Sequence, residues 1–343
     1  MDLLEVVRAG FFTTVQDLGR YGAQRYGVPV AGAMDLFAFR AANRLVGNPD
    51  ASAGLEVTMG GLELRALAPA AVAVTGADVH VQLNDRPVPQ WRGFAVRPGD
   101  TVRLGSATDG MRSYVAIGGG IEVPLVLGSR STYLKSGIGG IEGRPLRDGD
   151  RIPGTVGEGP RPRIGQLPRA FIPRYGARHS VRVVLGPQED AFTPDGVRTF
   201  LSSVYRVSPK SDRVGCRLEG PKVEHTGGPD IVSDGSPFGA VQVAGDGLPI
   251  VLLADRGTAG GYTKIATVIS ADLMYLAQAA PGDEVLFRDV SVDEARAALL
   301  DLERLLDSID VTDAAGVTAP SPRAVAAAAA ALQAAIGDDS PPL

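Results

Sequence analysis

Short apolar runs cut by Gly, Pro and Asp dominate the chain from Leu3 to about Ile152. Leu62–Leu67, Ala71–Val74, Val79–Leu83, Thr101–Leu104 and Ser113–Ile117 read as strands bounded by turn residues. Met34–Val46 departs from this pattern. Leu36, Ala38–Phe39, Ala42 and Leu45–Val46 recur at helical spacing, and Gly47-Asn48-Pro49 supplies the stop. Asp35 falls where an acid caps a helix and meets the positive end of its dipole. Residues 153–178 hold prolines 153, 160, 162, 168 and 173 among Arg and Gly, the chemistry of a semi-extended, exposed linker. A second strand-rich block runs from His179 to Arg288. Ser291-Val292-Asp293-Glu294 then spells a capping box, and Leu299, Leu302, Leu305, Leu306 and Ile309 make one apolar helix face. Beyond it, Ser321-Pro322 opens an Ala-rich helix ended by Gly337. The pattern divides the chain into 1–152, 153–178, 179–290 and a helical, Ala/Pro-rich tail, 291–343.

The two strand-rich blocks share a turn. Arg97-Pro98-Gly99-Asp100 matches Ala280-Pro281-Gly282-Asp283, each leading into a strand, and Arg147-Asp148-Gly149-Asp150 is a looser copy. The repetition points towards two related β-barrels.

Composition narrows the function. With 343 residues the chain has room for two domains, and 34 basic against 39 acidic side chains give no nucleic-acid surface. The single cysteine, Cys216, excludes an intramolecular disulfide and fits a reducing compartment. The start carries acids and reads as no signal peptide, and no apolar run is long enough to span a bilayer. The expected location is the cytoplasm, with no membrane contact.

Several chemistries are missing from the sequence. No Gly-Lys pair occurs, so there is no Walker A loop, and neither GxGxxG nor GxSxG is present. His80, His179 and His225 lack metal-ligand spacing, so no metal site is expected. No Met-Lys pair occurs, so biotin is not attached to this chain. Three constellations remain. Gln16, Asp17 and Arg20 lie in Thr13–Arg20, where Asp17 and Arg20 could pair and brace a turn. Arg130, Ser131, Tyr133 and Arg144 flank a glycine-laced stretch rich in donors, an anion cradle or a surface loop with Arg144 paired to Glu142 or Asp148. Asp234 and Gln242 precede Leu248–Val268, in which a short apolar run delivers Asp255 and Arg256 to opposite faces. Gly257, Gly260 and Gly261 there permit positive φ and leave N–H groups bare, in a loop that also carries Thr258 and Tyr262.

Taken together, TTVQDLGRYG (13–22), GVPVAGAMD (27–35), ANRLVGNPDASAGLEVT (42–58), LGSRSTY (127–133), GGIEGRPLRDGD (139–150), SDG (233–235), GAVQV (239–243) and LADRGTAGGYTKIATV (253–268) resemble the allophanate hydrolase subunit 2 family. This is also called the biotin-dependent carboxyltransferase family and includes the C-type component of 5-oxoprolinase and Kip-antagonist proteins. The resemblance spans roughly residues 3–290. It implies a mainly β chain of two cyclophilin-like β-barrels with a few short helices. Where the family commonly reads R-Q-T-T-G-G-Y-P, this chain has Arg256-Gly257-Thr258-Ala259-Gly260-Gly261-Tyr262-Thr263, without the Gln amide and one hydroxyl.

The resemblance further implies partners: a subunit 1 protein, the B-type component of 5-oxoprolinase, and an A-type component. The leading expectation is the C-type component of an ATP-dependent 5-oxoprolinase that opens the amide of 5-oxo-L-proline to give L-glutamate. ATP, with Mg, would be shared with a partner. Arg130, Arg144 and Arg256 would then neutralise phosphate or substrate carboxylate. Gly260, Gly261 and Tyr262 would supply N–H groups and a wall, and Asp17, Asp234 or Asp255 would orient the substrate or accept a proton. Gln16, Arg20, Ser131, Tyr133, Gln242 and Thr258 complete the expected binding set. Two alternatives stay open: a carboxyltransferase lobe acting on urea or a related amide with carboxybiotin from another protein, and a non-enzymatic Kip-antagonist-like binding protein.

Overall fold

The computed structural model describes residues 1–155 and 163–313. Its first sheet has nine strands: β1 (Asp2–Ala9), β2 (Phe12–Gln16), β3 (Gly54–Thr58), β4 (Leu62–Ala66), β5 (Ala70–Leu83), β6 (Arg86–Pro87), β7 (Gly93–Val96), β8 (Thr101–Ile117) and β9 (Arg151–Pro153). The order is β2-β3-β8-β4-β1-β9, with β5 added to β8 and carrying β6 and β7. Helix α1 (Leu36–Leu45) lies against one face. Alternation on β5 shows why: Val72 and Val74 enter the core of the curled sheet, while Ala71 and Ala73 turn to α1. The small alanines let the helix approach, and Phe37, Ala38, Ala41 and Leu45 fill the gap. Asp35 is the N-cap of α1, accepting the Ala38 N–H at 2.9 Å.

Two pairs of expected strands are each one long strand. Ala71–Val74 and Val79–Leu83 belong to β5, and Thr101–Leu104 and Ser113–Ile117 to β8. The glycines between them are not breaks. β5 runs through register shifts between Gly76 and Val81, and Gly76 takes φ 82° where a Cβ would lie 2.2 Å from Arg112 O. Its role is to bend the ribbon.

The second sheet closes. After β10 (Arg163–Gly165), the strands are β11 (Arg178–Leu185), β12 (Tyr205–Val207), β13 (Gly215–Glu219), β14 (Asp230–Gly235), β15 (Ala240–Val243), β16 (Pro249–Leu252), β17 (Ala259–Tyr262), β18 (Lys264–Val268) and β19 (Glu284–Asp289). The barrel runs β11-β18-β15-β16-β13-β12-β19 and is shut by parallel pairing of β19 with β11. β14 and β17 stand apart as a two-stranded ribbon. Helix α2 (Pro194–Ser202), capped by Thr193, brings Phe200 to stack on Phe287 at 4.5 Å inside this barrel. Cys216 is buried in the same core, and burial pushes its thiol up to about 11. The chain is thus mainly β, as expected, but only the second barrel is closed; the first is a curled, partly open sheet.

All three matching turns share one geometry. The fourth residue's N–H donates to the first residue's carbonyl at 3.0, 3.1 and 3.0 Å for Asp100, Asp150 and Asp283. Each Asp Oδ2 accepts the first residue's N–H, at 2.7, 2.8 and 2.7 Å. The third-position glycines, Gly99, Gly149 and Gly282, sit at φ 92, 87 and 96° and donate to the carbonyls of Ala66, Val6 and Val207. Those three residues in turn donate to the Asp carbonyls. Each turn is therefore a clasp onto a neighbouring strand.

The described part of the Pro-rich segment, 163–178, is not the exposed strip its composition predicts. Ile164, Leu167, Phe171 and Tyr175 are buried, and β10 pairs with β20 (Val311–Asp313). Proline fixes φ but leaves the residues between free to pack. After α3 (Leu273–Gln278), helix α4 (Val292–Asp307) begins at the expected Ser291–Glu294 capping box. Its inner face is Ala298, Leu302, Leu305 and Leu306; Leu299 lies outside it. The Ala-rich helix expected from Ser321 lies outside the described residues. No helix among the described residues is long and apolar enough to cross a membrane.

Candidate functional site

The end of β2 and the loop after β8 form one wall. Asp17 is the centre of that wall. Its Oδ1 accepts from Gly19 N–H and Ser129 and Ser131 hydroxyls at 2.8, 2.7 and 2.5 Å, and its Oδ2 from Arg130 N–H at 2.6 Å. These bonds saturate the carboxylate and fix the loop. Arg20 is wholly buried but does not pair with Asp17; it donates to the carbonyls of Val126 and Ser131. Burial lowers its pKa, with Asp17 and Asp255 opposing. Gln16 donates to Thr14 and Thr132, while Gln16 Oε1 and Arg20 Nη1 are buried without partners among the described residues. Tyr133 is buried beside them, and burial together with the Asp255 charge raises its hydroxyl pKa. Glycines give the loop its shape: Gly140 sits at φ 55°, where a Cβ would be 2.0 Å from Thr132 Oγ1.

A buried polar seam holds this wall to the second barrel. Arg213 reaches Asp255 through two bonds of 3.0 Å, donates to Gly32 O at 2.6 Å and pairs with Glu56. Burial opposes its charge, but Glu56 and Asp255 outweigh this and raise its pKa. Glu56 also accepts from Met34 N–H at 2.8 Å and from the Tyr114 hydroxyl at 2.9 Å. Asp35 accepts Gln278 Nε2 at 2.9 Å and the Tyr175 hydroxyl at 3.1 Å. Burial pushes its carboxyl up to about 6.

Above the seam lies a cleft of about 360 Å³, lined by Gln24, Pro29 and Val30 from the first domain and by Ser236, Arg256 and Thr258 from the second. Arg256 donates to Ser236 O at 2.8 Å and Leu253 O at 3.2 Å and stacks over Phe238 at 5.2 Å. Among the described residues it forms no ion pair, and burial lowers its pKa. Asp255 and Arg256 do diverge, one into the seam and one into the cleft.

The glycines beside Arg256 do not use the positive φ open to them. Gly257, Gly260 and Gly261 are not at positive φ. Ala259–Tyr262 is strand β17, so its backbone is extended and paired with β14. Gly260 is needed for room instead: a Cβ there would lie 2.5 Å from Gln242 Nε2 and 3.2 Å from Ser236 Oγ. Gln242 pairs in register with Lys264, and both side chains are buried. Lys264 Nζ is 3.2 Å from Asp234 Oδ2. The Asp234 carboxyl is held below its usual range by the Gly235 N–H and by Lys264. Tyr262 is exposed at the ribbon's edge.

The expected site residues thus fall into two neighbouring groups. Gln16, Asp17, Arg20, Arg130, Ser131 and Tyr133 form the first wall, with Asp255 behind it; Asp234, Gln242, Arg256, Thr258, Gly260, Gly261 and Tyr262 form the second. Arg144 belongs to neither, being held by Asp150 at 2.8 and 3.0 Å and by Glu142 at 2.9 Å. Sequence reasoning missed Glu56, Arg213, Tyr114, Ser236 and Lys264 as site-building residues. Lys264 carried little signal, since it stands between Thr263 and the start of Ile265–Val268, where a lysine is ordinarily exposed. Among the described residues, no group of three or more His, Cys, Asp or Glu is placed to hold a metal ion.

The comparisons agree with this architecture. The family "Carboxyltransferase domain, subdomain A and B" matches residues 26–289. The 5-oxoprolinase C-type component of Escherichia coli K12 is 38% identical over 314 residues, covering 90% of this chain and 97% of that protein. Its Haemophilus influenzae counterpart is 37% identical over 309 residues, with the same coverage of 90% and 97%. Among solved structures, Kluyveromyces lactis urea carboxylase superposes with a TM-score of 0.84 at 33% identity, over 89% of this chain but 29% of that one. With half of its length and more matched by the family and near-complete coverage of both bacterial relatives, the chain belongs to the carboxyltransferase-domain family, subdomains A and B, together with the C-type components of 5-oxoprolinase.

Proposed function

We propose that this chain is the C-type component of an ATP-dependent 5-oxoprolinase, acting in the cytoplasm with A- and B-type partners to open 5-oxo-L-proline to L-glutamate. The observation that carries this reading is the end-to-end match to two proteins named as this component of 5-oxoprolinase, 97% of each being covered. The cleft supports it chemically. The lactam is unstrained, so its amide must be activated, and ATP supplies a phosphoryl group for that purpose. Arg256, with no acid partner among the described residues, faces the cleft as the cation for phosphate or for charge developing on the amide oxygen. Ser236 and Thr258 add hydroxyls beside it. Asp17 and Asp255 act here through positioning, because their oxygens already hold the Ser129–Ser131 loop and Arg213. Mg would come with the nucleotide and be held in part by a partner.

The test is ATP-dependent glutamate release from 5-oxo-L-proline by this chain with its A- and B-type partners, each omitted in turn. Glutamate and ADP should appear only when this chain is present, and Arg256→Ala should lose at least ~100-fold while the complex still assembles. Full activity without this chain rejects the reading. A second reading, carboxyl transfer from carboxybiotin to urea or a related amide, draws on the fold match to urea carboxylase. Transfer of labelled CO₂ to urea, with no glutamate formed, would select it.

A further inference from the structure

Among the described residues, two buried side-chain nitrogens of the second barrel are incompletely satisfied. Gln242 Nε2 is inaccessible to solvent and makes no hydrogen bond among the described residues. Lys264 Nζ is likewise buried; among the described residues its one close acid is Asp234, at 3.2 Å and outside hydrogen-bond alignment. The two residues face each other across the β15–β18 ladder, so their heads share one side of it. A buried amide without a partner and a buried ammonium held by one exposed acid are both costly, and such groups call for a further partner. The backbone directly above is Gly260, where a Cβ would intrude to 2.5 Å from Gln242 Nε2.

Asp234 is a poor permanent partner. Its side chain is 55% exposed, against 1% for Lys264. It rides on β14, a strand paired on one side only, by β17, and beside Val232, which is 93% exposed. It touches Lys264 and leaves Gln242 unpaired. A carboxylate is planar, carries two oxygens, and can take a cation on one and an amide N–H on the other.

We propose that Gln242 Nε2 and Lys264 Nζ form a carboxylate pocket beneath Gly260, and that Asp234 occupies the lysine until a carboxylate-bearing ligand displaces it. The identity of that ligand rests on the reading above, in which it is the carboxylate of 5-oxo-L-proline. An amide activated by phosphorylation carries two separate anionic groups, and the site then has a cation for each. Arg256 serves the activated amide and Lys264 the carboxylate; Ser236 lines the cleft with Arg256, and its Oγ lies near Gly260.

The experiment follows the side-chain amide resonances of Gln242 in the full chain by nitrogen–proton NMR. Acetate, 5-oxo-L-proline, 2-pyrrolidinone (the same lactam without its carboxylate) and chloride are added at matched ionic strength. Acetate and 5-oxo-L-proline should move the resonances saturably, while 2-pyrrolidinone and chloride leave them in place. Lys264→Gln should weaken acetate binding at least tenfold. Gly260→Ala, whose backbone is already extended, should do the same and serves if the lysine variant does not fold. Asp234→Asn should tighten acetate binding about two- to fivefold, the range that one exposed ion pair is worth. Equal shifts with 2-pyrrolidinone, retention of the acetate response in both Lys264→Gln and Gly260→Ala, or weaker binding in Asp234→Asn would each overturn the proposal. A response to acetate but none to 5-oxo-L-proline upholds the pocket and rejects that substrate. Glutamate production with no carboxylate response at Gln242 rejects the pocket alone.

Discussion

Arg213 and Lys264 are both buried cations of the second barrel, yet their surroundings are opposite. Arg213 is enclosed by Glu56, Asp255 and a backbone carbonyl, with its fork filled from both domains. Lys264 has one solvent-washed acid beside it and an unpaired amide as neighbour. A saturated buried charge fixes structure, since removing it strands its partners; an unsaturated one leaves binding capacity in reserve. Burial alone therefore does not say whether a charged group holds the fold or serves a ligand. Counting its partners does.

The sharpest way to break this comparison is Arg213→Met, which leaves Glu56 and Asp255 buried without their cation. It should destabilise the protein by about 3–5 kcal/mol in urea unfolding. Adding Glu56→Gln and Asp255→Asn should restore part of that loss, and no restoration would mean the acids are not what suffers. Next come the glycines of the two walls. Gly140→Ala meets Thr132 Oγ1 at 2.0 Å and must hold φ 55°, so a loss of about 2–4 kcal/mol is expected. Gly260→Ala should stay within about 1 kcal/mol of the parent, because only the tip of Gln242 must move.

The seam should also show in acid–base behaviour. Asp35 titrates in the fold at about 6, above its ordinary value, so the folded chain binds the extra proton between those pH values. Stability from this group is complete below about pH 4 and lost as pH rises through 6, a decline on the order of 3 kcal/mol. Asp35→Asn should remove that slope from unfolding curves recorded between pH 4 and 7; an unaltered slope would place the proton elsewhere. The smallest effect is Lys264→Met, expected to change stability by no more than about 1 kcal/mol while glutamate production is lost. A loss comparable to that of Arg213→Met would erase the distinction between the two cations.

Much of the fold was legible because its signals are local. Turn chemistry marked all three clasps, Asp35 and Ser291 marked two helix starts, and short apolar runs marked strands. Strand length was not legible: nothing in Gly76 distinguishes a bulge from a break until Arg112 is beside it. For the same reason nothing in Gly260 tells a positive φ from the space it supplies over Gln242. The site was half legible. Asp17, Arg20, Asp255 and Arg256 stood out as charges next to glycines, but their partners come from distant segments. Arg213 sits in an unremarkable turn, and only folding brings it to Glu56. Arg144 misled for the opposite reason, since its acids lie within six residues and satisfy it locally.

The clasp at Gly149 bears on how the chain is made. β1 lies between β4 and β9, and Val6 exchanges both backbone bonds with the Arg147–Asp150 turn. The earliest strand of this sheet in chain order thus gains its second neighbour only from the latest, β9. At about 5–20 residues per second, Val6 waits roughly 7–30 s for Asp150 to be synthesised. Until then the edge of β1 that β9 will cover, in the strand carrying Leu3, Leu4 and Val6, is without its partner.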